Sequence, residues 1–181
     1  MTNWRPESAE MYEDVQTRNQ CLNLRGEKRL KRLWRGSRDS ARTPMQWSAE
    51  KNAGFTSGEP WFYVNQNYTE INVAAQEKDP DSLLQFYRKA IALRKSLPVV
   101  RDGSYREFCR RSGKLYVYAR ETAAQRLLVV CSFTASLVHF HAPKGYSLAE
   151  MQLLLRNYGG ETEQNGFVTK PYETRVYLQE R

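Results

Sequence analysis

The apolar residues of this chain change their spacing at Asp102-Gly103, and this change constrains the fold more than any other feature. Before it, apolar side chains recur at helical spacing, and we predict a helix from Asp81 to Leu97 with Asp79 as its cap. Its apolar face consists of Leu83, Leu84, Tyr87, Ala90 and Ile91. After Gly103 the apolar residues alternate, which is typical of strands with one buried face. The sequence therefore predicts an α+β fold in which helices and a long loop precede strands.

Short alternating segments with turn residues between them follow Gly103. We predict strands at Tyr105–Cys109, Lys114–Arg120, Arg126–Phe133, Leu137–His141, Leu153–Tyr158 and Arg175–Gln179. Strands spaced so closely favour an antiparallel β-sandwich. We therefore predict two domains, 1–102 with the helices and the long loop, and 103–181 as the sandwich.

The net charge of +8 raises the question of a nucleic-acid partner. Many of the basic residues crowd into Arg25–Arg38, where Leu30, Leu33 and Trp34 fall at the spacing of one buried helical stripe. The cations then lie on the solvated side of a short amphipathic helix. Because no zinc-finger, helix-turn-helix or RNA-binding pattern accompanies them, we expect no nucleic-acid partner.

Residues 48–79 are rich in turn formers and aromatic residues, with little helical or strand period. We predict an irregular but packed loop. Its aromatic side chains are better explained as loop anchors than as platforms for sugars, because a long loop needs apolar contacts to stay ordered.

Several classes of site are not expected. The three cysteines, Cys21, Cys109 and Cys131, are widely spaced and are predicted to be reduced thiols. The two histidines, His139 and His141, share one face of a strand but lack a third ligand, so we predict no metal site and no cofactor. No apolar run approaches the ~20 residues that span a bilayer. We expect a cytoplasmic protein without a membrane partner.

The segment with the most directed chemistry runs from Arg38 to Trp47, Arg-Asp-Ser-Ala-Arg-Thr-Pro-Met-Gln-Trp. Pro44 disfavours a helix at Thr43, so we predict a loop, with a buried Met-Gln-Trp after it. The planar guanidinium groups of Arg38 and Arg42 suit carboxylates and sugar hydroxyls, which makes both arginines candidate substrate-binding residues. The alternative is a purely structural Arg–Asp staple with Trp47 as its hydrophobic foot.

This segment resembles the RDxxRTPMQW segment of α-glucosidases in the α-amylase superfamily (glycoside hydrolase family 13), in the branch of oligo-1,6-glucosidases and trehalose-6-phosphate hydrolases. The likeness continues through Asn52–Phe55, Gly58–Trp61, Glu70–Val73, Tyr87–Lys89 and Lys170–Glu173. It implies that residues 1–102 are the end of a (β/α)8 barrel, from the loop after the last strand through the final helix. It also implies that Arg38 holds the terminal glucose, that Arg42 supports the loop or faces the next subsite, and that Asp39 orients an arginine.

The resemblance also implies that the catalytic residues lie elsewhere. Met1-Thr2-Asn3 resembles a segment deep inside the relatives, and the sequence has no Asn-His-Asp segment of the family's kind. Glycoside hydrolysis needs two carboxyl groups beside the bond, and none can be assigned here. We expect a C-terminal fragment of an α-glucosidase that acts on oligosaccharides but is inactive alone, with the missing barrel half as a candidate partner chain. The sequence leaves the choice between α-1,6, α-1,4 and trehalose-6-phosphate substrates open. The alternative is a non-catalytic carbohydrate-binding or regulatory β-sandwich module.

Overall fold

The computed structural model describes residues 4–159 and 165–181. Met1-Thr2-Asn3, used above for the resemblance, lies outside the described residues. Five α-helices precede the strands: α1 Val15–Gln20, α2 Gly26–Gly36, α3 Val73–Lys78, α4 Leu83–Ser96 and α5 Pro98–Asp102. Seven strands follow: β1 Ser104–Phe108, β2 Leu115–Glu121, β3 Gln125–Ser132, β4 Val138–His141, β5 Gln152–Arg156, β6 Gly166–Thr169 and β7 Thr174–Glu180. The predicted order of helices and then strands is confirmed.

The chain divides into two compact units, Met1–Leu84 and Gln85–Arg181. The core of the first unit is aromatic, with Trp4, Tyr12, Leu33 and Phe62 among its buried members. On the predicted buried stripe of the basic helix α2, Leu33 is fully buried and Trp34 packs beside it half-buried, whereas Leu30 is half-buried and outside this core. The first unit has as many acidic as basic side chains, so the whole net charge of +8 belongs to the second unit and not to α2.

The long loop between the motif and α4 contains one helix that the sequence did not predict, α3. Asn72 starts it, because its side-chain oxygen accepts a hydrogen bond from the Ala75 amide at 2.9 Å. Elsewhere the loop is irregular, as expected, with two short 3-10 segments at Lys51–Gly54 and Gln66–Thr69. A tight turn at Asn52–Gly54 has positive φ, and the Ala53 carbonyl accepts the Trp47 and Ser48 amides.

The predicted helix at Asp81–Leu97 begins later than expected, at Leu83, and Asp79 is not its cap. Asp79 instead accepts the Asp81 amide within a turn. The Leu84 amide donates to the Gln76 side chain at 3.0 Å. A side chain of α3 thus accepts one of the free amides in the first turn of α4. On the predicted apolar face, Leu83, Tyr87 and Ile91 are 66%, 60% and 50% exposed.

The second unit holds two antiparallel sheets. One has the strand order β1-β2-β3-β7-β5, and the other pairs β4 with β6. Side chains from both sheets meet in one core, where Val117, Leu128 and Tyr177 pack with Phe140 and Phe167. The six predicted strands are confirmed to within two residues at each end. The missed strand, β6, is four residues long and begins with a glycine, so it carries little alternation.

The larger sheet is covered on both faces around β3. Leu128 and Val130 face the core between the sheets, whereas Leu127 and Val129 face Val99 of α5. Gly103 lies at the turn from α5 into β1, where a Cβ atom would meet the Val99 carbonyl oxygen at 2.5 Å. The change of period at Gly103 is therefore also a point of close backbone contact. Whether Gly103 begins a separate folding domain stays a prediction.

Candidate functional site

A buried carboxylate holds Arg38. Asp14, 1% exposed at the start of α1, accepts from Arg38 Nη2 at 2.8 Å and from the Arg38 amide at 3.0 Å. Its Oδ2 also accepts from Thr17 Oγ1 at 2.6 Å. The hydrogen bonds from Arg38, and then that from Thr17, hold the pKa of Asp14 below its ordinary value. The same pair raises the pKa of Arg38, so both groups stay charged.

Asp39 has a structural task. Its side chain is fully buried, and its Oδ2 accepts the amides of Glu13 and Asp14 at 2.8 and 3.1 Å. Its Oδ1 lies 3.7 Å from Arg42 Nη1, beyond hydrogen-bond distance. Asp39 thus fixes the backbone that carries Asp14, and Asp14 in turn fixes Arg38.

The rest of the motif alternates between buried polar and exposed side chains. Gln46, 3% exposed, donates through Nε2 to the Ile71 carbonyl at 2.6 Å and to Asn67 Oδ1 at 3.1 Å. Met45 and Trp47 are 42% and 51% exposed, so the prediction of a buried Met-Gln-Trp is wrong for its two apolar members. Residues 44–48 form neither helix nor strand, and the buried Gln46 lies between two exposed side chains. Trp47 is not a hydrophobic foot.

The local backbone around Arg38 is also more ordered than predicted. Residues Arg38–Ala41 form a short 3-10 helix, with the Ser37 side chain accepting the Asp39 amide at 3.2 Å. It ends before Pro44, as the restriction on the residue before a proline requires. This turn presents Arg38 and Arg42 with 58% and 37% of their side chains exposed.

Tyr12 completes the buried side of the site. Its ring lies in the aromatic core, 5.4 Å from Trp4, and its hydroxyl has no hydrogen-bond partner among the described residues. Burial, and secondarily the charge of Asp39, raises the pKa of Tyr12 to about 12. The phenol is therefore neutral throughout the physiological range.

The side chains of this site fix the local backbone through ion pairs and hydrogen bonds, and they also leave two guanidinium groups partly exposed. We name Asp14, Arg38, Asp39 and Arg42 the arginine–aspartate cluster. Both carboxylates are buried; Asp14 accepts donors at both oxygens and Asp39 at Oδ2, whereas the two guanidinium groups remain partly exposed. Such a group can donate to the hydroxyl oxygens of a ligand. The cluster as a whole is suited to binding rather than to proton transfer, because the pKa of Asp14 is lowered.

The sequence did not identify Asp14 as the partner of Arg38. The two residues are far apart along the chain, and the only local signal was that Asp14 precedes a helix.

The other candidate groups form no second centre. His139 and His141 are both exposed on β4, as predicted, and Cys21, Cys109 and Cys131 are free thiols. Within 4–159 and 165–181 no three His, Cys, Asp or Glu side chains come together as metal ligands. Over the same residues, no helix has the length and apolar composition to cross a bilayer.

Comparison with known proteins places this geometry in context. Residues 1–103 match the family model described as the catalytic domain of alpha-amylase. The oligo-1,6-glucosidase of Halalkalibacterium halodurans is 42% identical over 98% of this chain and 33% of its own length. The trehalose-6-phosphate hydrolase of Escherichia coli is 37% identical over 93% of the chain and 31% of its own length. The crystal structure of Bacillus licheniformis trehalose-6-phosphate hydrolase superposes with a TM-score of 0.91, at 33% identity, over 100% of this chain and 34% of that one. The chain thus spans about a third of the length of the relatives it matches.

Proposed function

The chain belongs to the alpha-amylase family, and from this premise we propose that it forms the substrate-side third of an α-glucosidase. The reaction would be the hydrolysis of terminal α-linked glucose from short oligosaccharides, as the name of its oligo-1,6-glucosidase relatives indicates. The single observation that carries the proposal is the geometry of Arg38. Its guanidinium is fixed by a buried carboxylate and is still largely exposed.

In this proposal Arg38 orients the terminal glucose. The ion pair with Asp14 restricts the guanidinium to one position, so that less rotamer entropy is lost when it binds a hydroxyl. Asp39 acts through Arg38, because it fixes the amides of Glu13 and Asp14. Arg42 lies beside Asp39 at the same turn and is assigned a supporting or neighbouring contact with the sugar.

The hydrolytic carboxyl groups are assigned to a part of the enzyme that this chain does not span. Retaining and inverting glycosidases alike need one carboxyl group with a raised pKa to protonate the leaving oxygen. Asp14 has a lowered pKa, and Asp39 is committed to backbone amides. Neither aspartate of the cluster suits that task, which supports a binding role for the cluster.

The partner in this proposal is the remainder of the enzyme, in the same or in a separate chain. The exposed apolar face of α4, formed by Leu83, Tyr87 and Ile91, supports it. A contiguous apolar face of this kind usually marks a contact surface. A cytoplasmic location belongs to the same proposal and is supported by the three free thiols.

The test is to restore the missing part. The chain is fused behind the first two-thirds of the H. halodurans oligo-1,6-glucosidase, and hydrolysis of isomaltose, maltose and trehalose-6-phosphate is measured with and without the fusion. We expect no turnover by the chain alone and clear turnover by the fusion. In the fusion, Arg38→Lys should lower kcat/KM about a hundredfold, because an ammonium cannot hold Asp14 and a sugar hydroxyl in the same planar geometry.

Arg32→Lys is the matched control, since Arg32 is an exposed arginine on α2 in the same unit. It should leave kcat/KM unchanged. Turnover by the chain alone, or an Arg38→Lys fusion as active as the parent, would contradict the proposal. An inactive fusion together with saccharide binding by the chain would instead favour a non-catalytic binding module.

A further inference from the structure

Two adjoining clefts lie beside Trp4, in the first unit. Each has a volume of about 400 Å³, and they share Trp4, Met11 and Tyr63 in their walls. We name them together the Trp4 cleft. One half is completed by asparagines, including Asn65 and Asn67, and the other by Trp61 and Glu59. Each volume lies within the range of roughly 300–1,000 Å³ that is usual for small-ligand sites.

The aromatic residues at positions 61–63 differ in exposure: Phe62 is buried, whereas Trp61 and Tyr63 are exposed. Phe62 is buried, at 6% exposure, and packs edge-on against Trp4 with ring centroids 5.0 Å apart. Its neighbours Trp61 and Tyr63 are 67% and 37% exposed. Phe62 alone therefore provides the buried apolar contact that anchors this loop. The exposure of Trp61 and Tyr63 is not explained by loop anchoring.

The ring of Tyr63 is nevertheless held in place. It stacks on Trp4 at a centroid distance of 5.3 Å with an angle of 24° between the ring planes. Trp61 in turn contacts Phe62 at 5.1 Å. Rings supported from behind offer an apolar face at little cost in conformational entropy.

The polar part of the cleft is held by the Arg38–Trp47 segment. Asn65, 4% exposed, donates to Thr43 Oγ1 at 3.3 Å, and Gln46 donates to Asn67 Oδ1 at 3.1 Å. Gln46 Nε2 also donates to the Ile71 carbonyl, which settles the orientation of both amides. Asn67 Nδ2 is then left buried without an acceptor among the described residues. A buried unpaired donor is costly, and a ligand hydroxyl beside it would supply the acceptor.

We propose that the Trp4 cleft binds two consecutive glucosyl units of an oligosaccharide, stacked on Tyr63 and Trp61, as a subsite separate from the contact of Arg38. A pyranose ring has an apolar C–H face and hydroxyls around its edge. It therefore matches a wall of aromatic faces beside side-chain amides. The choice of a glucosyl ligand rests on the proposed function, whereas the location of the site rests on the cleft itself.

Nuclear magnetic resonance provides a direct test with the whole chain and isomaltotriose as the probe. All four tryptophans, Trp4, Trp34, Trp47 and Trp61, lie in the first unit and give separate indole N–H signals. We expect the signals of Trp4 and Trp61 to shift saturably with isomaltotriose and more weakly with glucose. The exposed Trp47 indole, which lies outside the cleft, should not shift.

Variants then test the walls by calorimetric titration. Trp61→Ala and Tyr63→Ala should each weaken isomaltotriose binding about tenfold, which corresponds to the loss of one aromatic contact with its buried area. Phe55→Ala is the matched control, since Phe55 is a 42% exposed aromatic residue of the same unit outside the cleft, and it should have no effect. Because Trp61 is mostly exposed, its truncation should leave the unfolding midpoint unchanged.

The proposal would be overturned by an absence of saturable shifts, by shifts at Trp47 in place of Trp4 and Trp61, or by variants that bind as tightly as the parent chain. Binding that Arg38→Ala abolishes and both cleft variants retain would also overturn it, while leaving the role proposed for Arg38 intact. Failure of the fused enzyme to hydrolyse any glucoside would count against the proposed function alone, because cleft binding is measured without turnover.

Discussion

Buried polar residues in this chain are placed where they fix the backbone. Asp39 is fully buried and binds two amides, and Gln46 binds the Ile71 carbonyl and Asn67. Burial of such groups is tolerated because their hydrogen bonds are made within the chain. Asp39 and Gln46, in a segment that resembles a substrate-binding motif, thus stabilise the local structure.

Tyr12 leads to a first prediction, because its hydroxyl is one of the buried polar atoms that have no partner among the described residues. Its hydroxyl is buried without a partner, so Tyr12→Phe should raise the free energy of unfolding at neutral pH by about 1 kcal/mol. The folded pKa of about 12 exceeds the unfolded value of about 10, so ionisation of the phenol in the unfolded chain lowers the stability progressively as the pH rises from about 10 to 12. Tyr12→Phe should abolish this loss of folding stability at alkaline pH.

Denaturant titrations followed by tryptophan fluorescence measure this effect, because all four tryptophans report on the first unit. Tyr68→Phe is the control, since Tyr68 lies in the same unit and is only half-buried. A Tyr12→Phe chain that is clearly less stable than its parent would mean that the hydroxyl has a partner in solution.

The second prediction concerns a buried ion pair in the second unit. Glu173 Oε1 accepts from Arg175 Nε at 2.7 Å, with side chains 0% and 5% exposed, and Arg175 lies 3.7 Å from the centre of the Phe167 ring. Glu173→Gln removes the carboxylate that is paired with this buried guanidinium and should cost about 3–5 kcal/mol. Urea unfolding followed by far-ultraviolet circular dichroism measures it.

The exposed pair of Arg101 and Asp102 provides the comparison for Glu173. Asp102→Asn should hardly move the unfolding midpoint, because solvent screens the charges of an exposed pair. Equal losses of stability in Glu173→Gln and Asp102→Asn would show that burial does not control how strongly these ion pairs stabilise the fold.

At the scale of elements, α4 carries the clearest mismatch between sequence and packing. Its apolar face is well defined, yet no side chain of the helix is buried. Leu83, Tyr87 and Ile91 follow one another at four-residue intervals and are each at least half exposed. Fully burying one such side chain stabilises a protein by roughly 1.5–3 kcal/mol, and this contribution is not realised within the chain.

The third prediction follows from that face. The chain alone should bind a hydrophobic dye and self-associate, and Tyr87→Gln with Ile91→Gln should reduce dye fluorescence severalfold without lowering stability. Leu137→Gln serves as control, because Leu137 is 66% exposed but lies outside the helix. Analytical ultracentrifugation and dye titration measure both effects. A monodisperse chain that binds no dye would favour a self-sufficient module.

The elements that the sequence missed share one cause. α3 begins because the Asn72 side chain caps it, and β6 exists because β4 pairs with it along Val138–His141. Neither segment is long enough for a helical or alternating apolar pattern to be recognised in the sequence. The start of α4 shifted for a similar reason, since the Gln76 side chain satisfies the Leu84 amide. In each case hydrogen bonds decide the structure: from the residue just before α3, between β4 and β6, and from Gln76 to the start of α4.

At the scale of the molecule, the stability of the first unit should depend on acid pH. The folded pKa of Asp14 lies below its unfolded value, so its contribution to stability is complete above about pH 4 and is lost as the pH falls further. Tryptophan fluorescence should therefore show acid unfolding of the first unit, and Asp14→Asn should remove that pH dependence while lowering stability at neutral pH. An unchanged acid transition in Asp14→Asn would remove Asp14 as its cause.

The last prediction tests whether the second unit is autonomous. A polypeptide of residues 103–181 should unfold cooperatively, because its strands satisfy one another's backbone groups. It lacks Val99 of α5, which packs on Leu127 and Val129, so it should be less stable than residues 85–181. Thermal unfolding of both polypeptides measures the difference. If only the longer one unfolds cooperatively, the boundary lies before α5 and not at Gly103.

The sequence by itself determined the change from helical to alternating period, six of the strands, the buried stripe of α2 and the choice of Arg38 and Arg42 as candidate ligands. These depend on residues that are close together along the chain, and periodicity or a short motif records them. Only the tertiary structure decided that Asp14 holds Arg38, that Gln46 is buried while Met45 and Trp47 are exposed, and that Trp4 meets Tyr63. Those contacts join segments whose distance in sequence carries no periodic signal, and they form because buried polar groups and aromatic rings must find partners wherever the fold brings them together.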